Sequence, residues 1–161
     1  MEDKSQRYER LLPQVAALCD GEEDMIAKMA NVSALLHHEF GFWWTGFYRV
    51  CGGECVVDGS RSQVLPTLIL GPFQGPLACV HIGYGKGVCG TAWKERRTVV
   101  VPDVEQFPGH IACSSESRSE IVVPLFSDGE VVAVLDIDSR DLNTFDDTDA
   151  HWLEQVVALM V

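Results

Sequence analysis

Cysteines and clustered acids are the side chains in this sequence with the chemistry to react. The six cysteines stand at 19, 51, 55, 79, 89 and 113. No two of them form Cys-x-x-Cys, which disfavours a zinc ribbon and a thioredoxin-like pair. Cys51 and Cys55 are spaced Cys-x3-Cys among glycines, with no second pair to complete a metal site. Among the acids, Asp136 and Asp138 alternate with Ile137 near the end of an apolar run, so on a strand both point to one face. Glu120 immediately precedes another apolar run. Carboxylates gathered on one face repel one another and raise at least one pKa. One that stays protonated can donate a proton, and one that stays ionised can hold an ammonium group.

The glycines at 83, 85, 87 and 90 lack the spacing of a dinucleotide fingerprint, and no strand–helix–strand unit follows them. They read instead as backbone that brings N–H groups close to a substrate carboxylate. His110 stands three residues before Cys113 and could help ionise a thiol, although a single loop histidine is ordinarily polar surface.

The elements that must position these groups follow from periodicity. Residues 4–19 carry apolar positions near helical spacing, with Pro13 as a point of kinking or breakage. Residues 23–39 form a second amphipathic helix stopped by Gly41. An aromatic, β-branched strand is predicted at 42–50, where alternation puts Trp44 and Tyr48 on one face. Residues 51–66 read as a turn-rich surface excursion. Strands follow at about 67–71 and 77–82, then a short helix through Arg96, a strand at 98–101 and a long loop at 102–117. Ser127-Asp128-Gly129 joins two apolar strands as a hairpin, and Asp146 caps a final helix over 146–160. Most strand connections are too short for parallel crossovers, so the fold class is α+β, an antiparallel sheet with helices packed on it.

The bulk numbers narrow the function. With 161 residues and 47% hydrophobic content, the chain is sized for one domain with a substantial core. The charged N-terminus lacks the apolar stretch of a signal peptide, and no run is long enough to span a bilayer. A cytoplasmic location is therefore expected, and a structural disulfide framework is not. A net charge of −12 opposes nucleic-acid binding. Lys94, Arg96 and Arg97 form the one cationic cluster, which reads as a solvated helix end.

Several strings carry a resemblance. They are Leu70-Gly71-Pro72-Phe73-Gln74-Gly75, Ala78-Cys79, Gly85-Lys86-Gly87-Val88-Cys89-Gly90-Thr91-Ala92, Phe107-Pro108-Gly109-His110-Ile111-Ala112-Cys113, Ser119-Glu120-Ile121-Val122 and Leu135-Asp136-Ile137-Asp138-Ser139. In this order, from about 42 to 160, they resemble the free methionine-(R)-sulfoxide reductases, which are single GAF domains. The segment 51–66 departs from the pattern, since the family usually makes that connection with a much shorter turn. Cys51 and Cys55 match nothing in it. Cys19 reads as a small buried hydrophobe.

The resemblance implies a reaction. A thiolate attacks the sulfoxide sulfur, an acid protonates the departing oxygen, and the attacking cysteine becomes a sulfenic acid. A second thiol condenses with it, and an external dithiol resets the enzyme. It further implies Cys113 as nucleophile, Cys79 as resolving thiol with Cys89 as the competing candidate, and a Cys79–Cys113 bridge in the oxidised protein. At a helix N-terminus Cys89 is expected to have a depressed pKa. Glu120 is expected in catalysis, and Trp44, Tyr48, Glu120, Asp136 and Asp138 around the substrate. No metal and no organic cofactor are expected. A thioredoxin-type reductant and a homodimer built through helices 4–19 and 146–160 complete the expectation. The alternative is a GAF module that senses a small ligand or redox state without turnover, and fold analogy alone leaves that open.

Overall fold

A computed structural model describes residues 1–111, 113 and 115–161, with the side chains of 54–57 outside the description. Ala112 of the motif, Ser114 beside Cys113, and the Cys55 side chain thus fall outside the described residues. The chain begins with α1 (Lys4–Cys19), opened by a reciprocal capping box between Asp3 and Gln6. Pro13 does not break α1; its position is exposed, and the helix runs through it. Asp24 caps α2 (Met25–Phe40), accepting from the Ala27 N–H.

Then come β1 (Trp44–Val57), β2 (Ser60–Gln74), β3 (His81–Ile82), α3 (Gly87–Glu95), β4 (Val99–Val101), a 3-10 turn at Val104–Gln106, β5 (Ser119–Ser127), β6 (Glu130–Ser139) and α4 (Asp147–Ala158). The strands form one six-stranded sheet in the order β3-β2-β1-β6-β5-β4, antiparallel throughout. Asp146 is the N-cap of α4, as its place before an acidic first turn predicts.

Two expectations need correction. Residues 51–66 are not a turn-rich excursion: β1 and β2 continue through them as one long antiparallel ribbon, paired from Thr45↔Gln74 to Val57↔Ser60. The true turn is only Asp58-Gly59, both at positive φ, which is hairpin turn chemistry. The glycine pair is absorbed by a register shift between Cys51 and Gly53. The strand expected at 77–82 shrinks to His81–Ile82, and residues 75–80 are loop.

The two sheet faces have different covers. On one, α1, α2 and α4 bury Tyr8, Leu11, Val15, Leu36, Leu153 and Val156 against Phe47, Ile121, Val123, Leu135 and Ile137. Each such side chain contributes about 1.5–3 kcal/mol by leaving water. Cys19 lies in this layer at 7% exposure, so it is a packing residue by location. The helices are also pinned by Asp149, which accepts from the Tyr8 hydroxyl at 2.8 Å and pairs with Lys4 at 2.6 Å. On the other face α3, together with Val104 and Phe107 beyond β4, packs with Trp44, Tyr48, Val122 and Val134. The cationic cluster lies exposed at the α3 end, where Arg96 pairs with Glu130 and Arg97 with Glu95.

Candidate active site

The second face holds the candidate site, and register assembles it. Asp138 of β6 lies between Trp44 of β1 and Glu120 of β5, while Asp136 lies between Gly46 and Val122. Directly paired side chains on one face are about 5 Å apart, so three carboxyls from two strands converge. Their odd-numbered neighbours Ile121 and Ile137 enter the helical core, as alternation requires. The α3 layer closes above them, and Gly90 lets the turn before α3 fold tightly against the helix, because a Cβ there would overlap the carbonyl oxygen of Gly83.

The resulting pocket opens to solvent on one side, and its empty space with that open mouth included is about 590 Å³. Trp43, Trp44, Tyr48, Ile82, Val88 and Ile111 supply apolar wall, with Cys89, Cys113, Ser117, Glu120, Asp136 and Asp138 among the polar lining. Neither lysine nor arginine is among the described residues that line it.

Burial, joined by the negative charges of Asp136 and Asp138, pushes Glu120 well above the usual carboxylate range. Asp138 is likewise pushed well up by burial and by Asp136, against the Ser117 hydroxyl that donates to it at 2.7 Å. Asp136 rises with burial too, but hydrogen bonds from Glu120 and Cys89 pull it back. The cluster therefore divides the labour: Glu120 keeps its proton and donates, and Asp136 is the acceptor. One Asp136 oxygen, Oδ1, is buried without a hydrogen-bond partner.

Cys89 is the third residue of α3 and only 3% exposed. The expected depression of its pKa is reversed. Full burial, with Asp136 and Glu120 beside it, raises the thiol well above its ordinary value. A helix terminus favours charge by only about 0.3–1 kcal/mol at exposed sites, and desolvation outweighs it here. Cys89, Glu120 and Asp136 bring one ligand-type atom each within 4.8 Å of one another, a spacing that hydrogen bonds within the cluster already occupy.

The other two motif cysteines are joined. Cys79 and Cys113 form a disulfide across 34 residues, with Cα atoms 5.6 Å apart. Only Cys113 of this pair lines the pocket. Cys79 sits behind the wall, its loop tied down by the Tyr48 hydroxyl, which donates to the Cys79 carbonyl at 2.9 Å. Trp44 is held similarly, donating to the Pro76 carbonyl at 3.0 Å and stacking on Phe73 with centroids 5.2 Å apart. Its ring tip crosses the space that a side chain at 46 would fill, so Gly46 is what lets it lie flat. His110 Nε2 is 3.7 Å from Glu120, and burial lowers the imidazole pKa, which works against an ionic pairing there.

The sequence-predicted residues Cys113, Cys89, Glu120, Trp44, Tyr48, Asp136 and Asp138 thus share one pocket, with Cys79 bonded to it from outside. The glycine loop is partly corrected. The Gly85 N–H bonds to the Gly90 carbonyl and the Gly90 N–H to Lys86, so those two donors are spent within the turn. Sequence reasoning missed Ser117, whose loop carries no periodicity to read. It also missed Trp43, because β1 begins one residue later; Trp43 lies in a bend where alternation does not apply.

Residues 33–161 match the GAF domain model. The chain is 50% identical over 157 residues to GAF domain-containing protein A of Dictyostelium discoideum, spanning 98% of this chain and 92% of that protein. It is 42% identical over 164 residues to the free methionine-R-sulfoxide reductase of Saccharomyces cerevisiae, spanning 98% and 86%. An X-ray structure of free methionine-R-sulfoxide reductase from Neisseria meningitidis, in complex with its substrate, superposes with a TM-score of 0.88 at 48% identity, covering 99% of this chain and 89% of that one.

Proposed function

This chain belongs to the GAF-domain free methionine-R-sulfoxide reductases, and from that premise we propose how its own residues carry out the reaction. The protein is an oxidoreductase that reduces free L-methionine-(R)-sulfoxide to methionine with cysteine thiols. One observation carries the assignment of roles: Cys113 lines the same pocket as Glu120, Asp136 and Asp138, while its bonded partner Cys79 lies outside the lining.

In the reduced protein the Cys113 thiolate attacks the sulfoxide sulfur, and the oxygen accepts the Glu120 proton. In the sulfur–sulfur adduct so formed, the hydroxyl passes from the methionine sulfur to Cys113 Sγ as the S–S bond breaks with its electron pair on the methionine sulfur, so methionine leaves reduced and Cys113 is left as a sulfenic acid. The Cys79 thiol attacks that sulfenic sulfur, expelling water and forming the disulfide. A dithiol then exchanges with the disulfide and returns both cysteines to thiols. Trp44 and Tyr48 wall the methyl end of the substrate. Asp136, with Oδ1 unpartnered and the rest of its carboxylate held by donors, receives the substrate ammonium. Asp138 borders the same group through its bond from Ser117. Cys89 is buried, protonated and unbonded, so it takes no part in thiol exchange.

No step calls for a metal or an organic cofactor. A thioredoxin-type protein in a reducing, cytoplasmic compartment is the reductant whose chemistry fits. Among the described residues no helix is long and apolar enough to cross a membrane. We place a homodimer interface on α1 and α4, where Leu18 and, just past the end of α4, Leu159 are exposed. The reductase reading is preferred to a sensor without turnover because a relative 42% identical over 98% of this chain is a free methionine-R-sulfoxide reductase.

The test is turnover with dithiothreitol. Free methionine-(R)-sulfoxide should be reduced, its (S) epimer should not, and an N-acetylated, amide-capped (R)-sulfoxide should react at least about tenfold more slowly, since it lacks the ammonium that a buried carboxylate holds. Equal rates on free and capped substrate would remove the role given to Asp136.

A further inference from the structure

We infer that Trp43 is a further substrate-binding residue, whose indole N–H donates to the α-carboxylate of the free amino acid, with the Arg140 guanidinium stacked behind the ring. The inference rests on the reductase reading and adds the recognition of the substrate's other charged end.

The pocket's polar side chains account for themselves one by one. The Trp44 N–H is spent on the Pro76 carbonyl, the Tyr48 hydroxyl on the Cys79 carbonyl and the Ser117 hydroxyl on Asp138. His110 stands against Glu120. Trp43 is different. It is half-buried and lines the pocket, and its Nε1 is buried with no hydrogen-bond partner. An indole N–H can only donate, so it waits for an acceptor. Within the same cavity the buried Asp136 Oδ1 waits for a donor. A zwitterion satisfies both at once: ammonium to Asp136, carboxylate to Trp43.

Charge points the same way. Asp136, the hydrogen-bond acceptor of the acidic floor, repels a substrate carboxylate, and the described lining holds no lysine or arginine, so the carboxylate must lie toward other donors. The Arg140 guanidinium lies 4.7 Å from the centroid of the Trp43 ring. A cation over an indole face is attracted to the ring and makes its N–H a better donor. Arg140 also supplies a side-chain cation, which the described lining lacks. Position agrees as well. The Trp43 backbone N–H bonds to the Asp138 carbonyl, and Asp136 lies one same-face step further along β6, about 7 Å away. An ammonium and a carboxylate on one carbon, each with a hydrogen bond of about 2.9 Å, reach across that step.

The test compares two substrates of the same sulfur configuration: free methionine-(R)-sulfoxide and its decarboxylated analogue, 3-(methylsulfinyl)propan-1-amine. In Trp43→Phe, KM for the amino acid should rise about tenfold to hundredfold with kcat little changed, as for loss of a bond to a charged group. KM for the amine should not move. Arg140 is exposed, so Arg140→Gln leaves the fold intact and should raise KM roughly threefold to tenfold on the amino acid alone. Equal losses on both substrates, or no loss on the amino acid, would overturn the inference. A second readout needs no turnover. In Cys113→Ser, the Trp43 indole N–H resonance should shift when methionine sulfoxide binds and stay still when the amine binds. A shift with both ligands or with neither would refute the contact. A carboxylate-dependent shift in a protein whose wild type shows no turnover would refute the reductase reading and leave this one standing.

Discussion

Glu120→Gln isolates the proton on which the proposed mechanism depends. Gln fills the same volume and cannot ionise. Glu120 is 6% exposed, and burial followed by the charges of Asp136 and Asp138 holds its pKa well above the ordinary 4.5. Its linkage to stability has a definite sign. Between the unfolded and the folded pKa the native state binds one proton more than the unfolded state, so stability falls as pH rises. The slope is up to about 1.4 kcal/mol per pH unit for one proton. Stability from this group is complete below the unfolded pKa and is lost as pH climbs through the folded one. Glu120→Gln should flatten that slope by up to one proton's worth and be the more stable protein in alkali. Urea unfolding across a pH series reads this directly. Turnover should move the opposite way, because an amide is no acid. Here kcat should fall about 10²–10⁴-fold, the usual worth of general acid catalysis. The wild-type decline in kcat at alkaline pH should disappear in the variant. An unchanged stability slope would mean that Glu120 is ionised in the fold, and the acid would have to be sought elsewhere.

Two further outcomes follow from the division among the side chains. Asp136→Asn should raise KM about tenfold to hundredfold for the free amino acid, as expected for losing a charged hydrogen bond, and leave a substrate without an ammonium unaffected; steady-state kinetics on both separates these. Cys89→Ala should still form the Cys79–Cys113 bridge, detected by mass spectrometry of the oxidised protein, and should turn over within about tenfold of wild type, because a buried, raised-pKa thiol is not the attacking group.

Much of the framework was legible in the pattern of residues. The three helices of the first layer follow from 3.6-residue spacing and their Asp and Gly signals. The shared face of Asp136 and Asp138 follows from alternation about Ile137. What periodicity does not carry is register. That Glu120 lies opposite Asp138 depends on the β5–β6 hairpin and its Ser127-Asp128-Gly129 turn. The Cys79–Cys113 pairing, 34 residues apart, came from family resemblance and not from spacing. The ribbon at 51–66 is hidden in the sequence because Gly52, Gly53 and Pro66 are turn residues in isolation. Cross-strand pairing overrode those local preferences, as tertiary context commonly does. Cys89 was misread for a related reason: helix position is visible in sequence, and burial beside two carboxyls is not. Trp43 is not legible as a lining residue, because alternation gives no facing to a residue in the bend before β1.

The central claim is that Cys113 attacks and Cys79 resolves, and a single-turnover measurement of methionine release tests it most directly. Reduced wild type, Cys113→Ser and Cys79→Ser are each mixed with excess free methionine-(R)-sulfoxide without added reductant, and methionine is quantified per chain. Cys79→Ser should release one methionine in a burst and stop at a sulfenic acid on Cys113, trapped by a dimedone-type reagent. Cys113→Ser should release none. A burst that survives in Cys113→Ser and vanishes in Cys89→Ser would contradict the account by moving the nucleophile to Cys89.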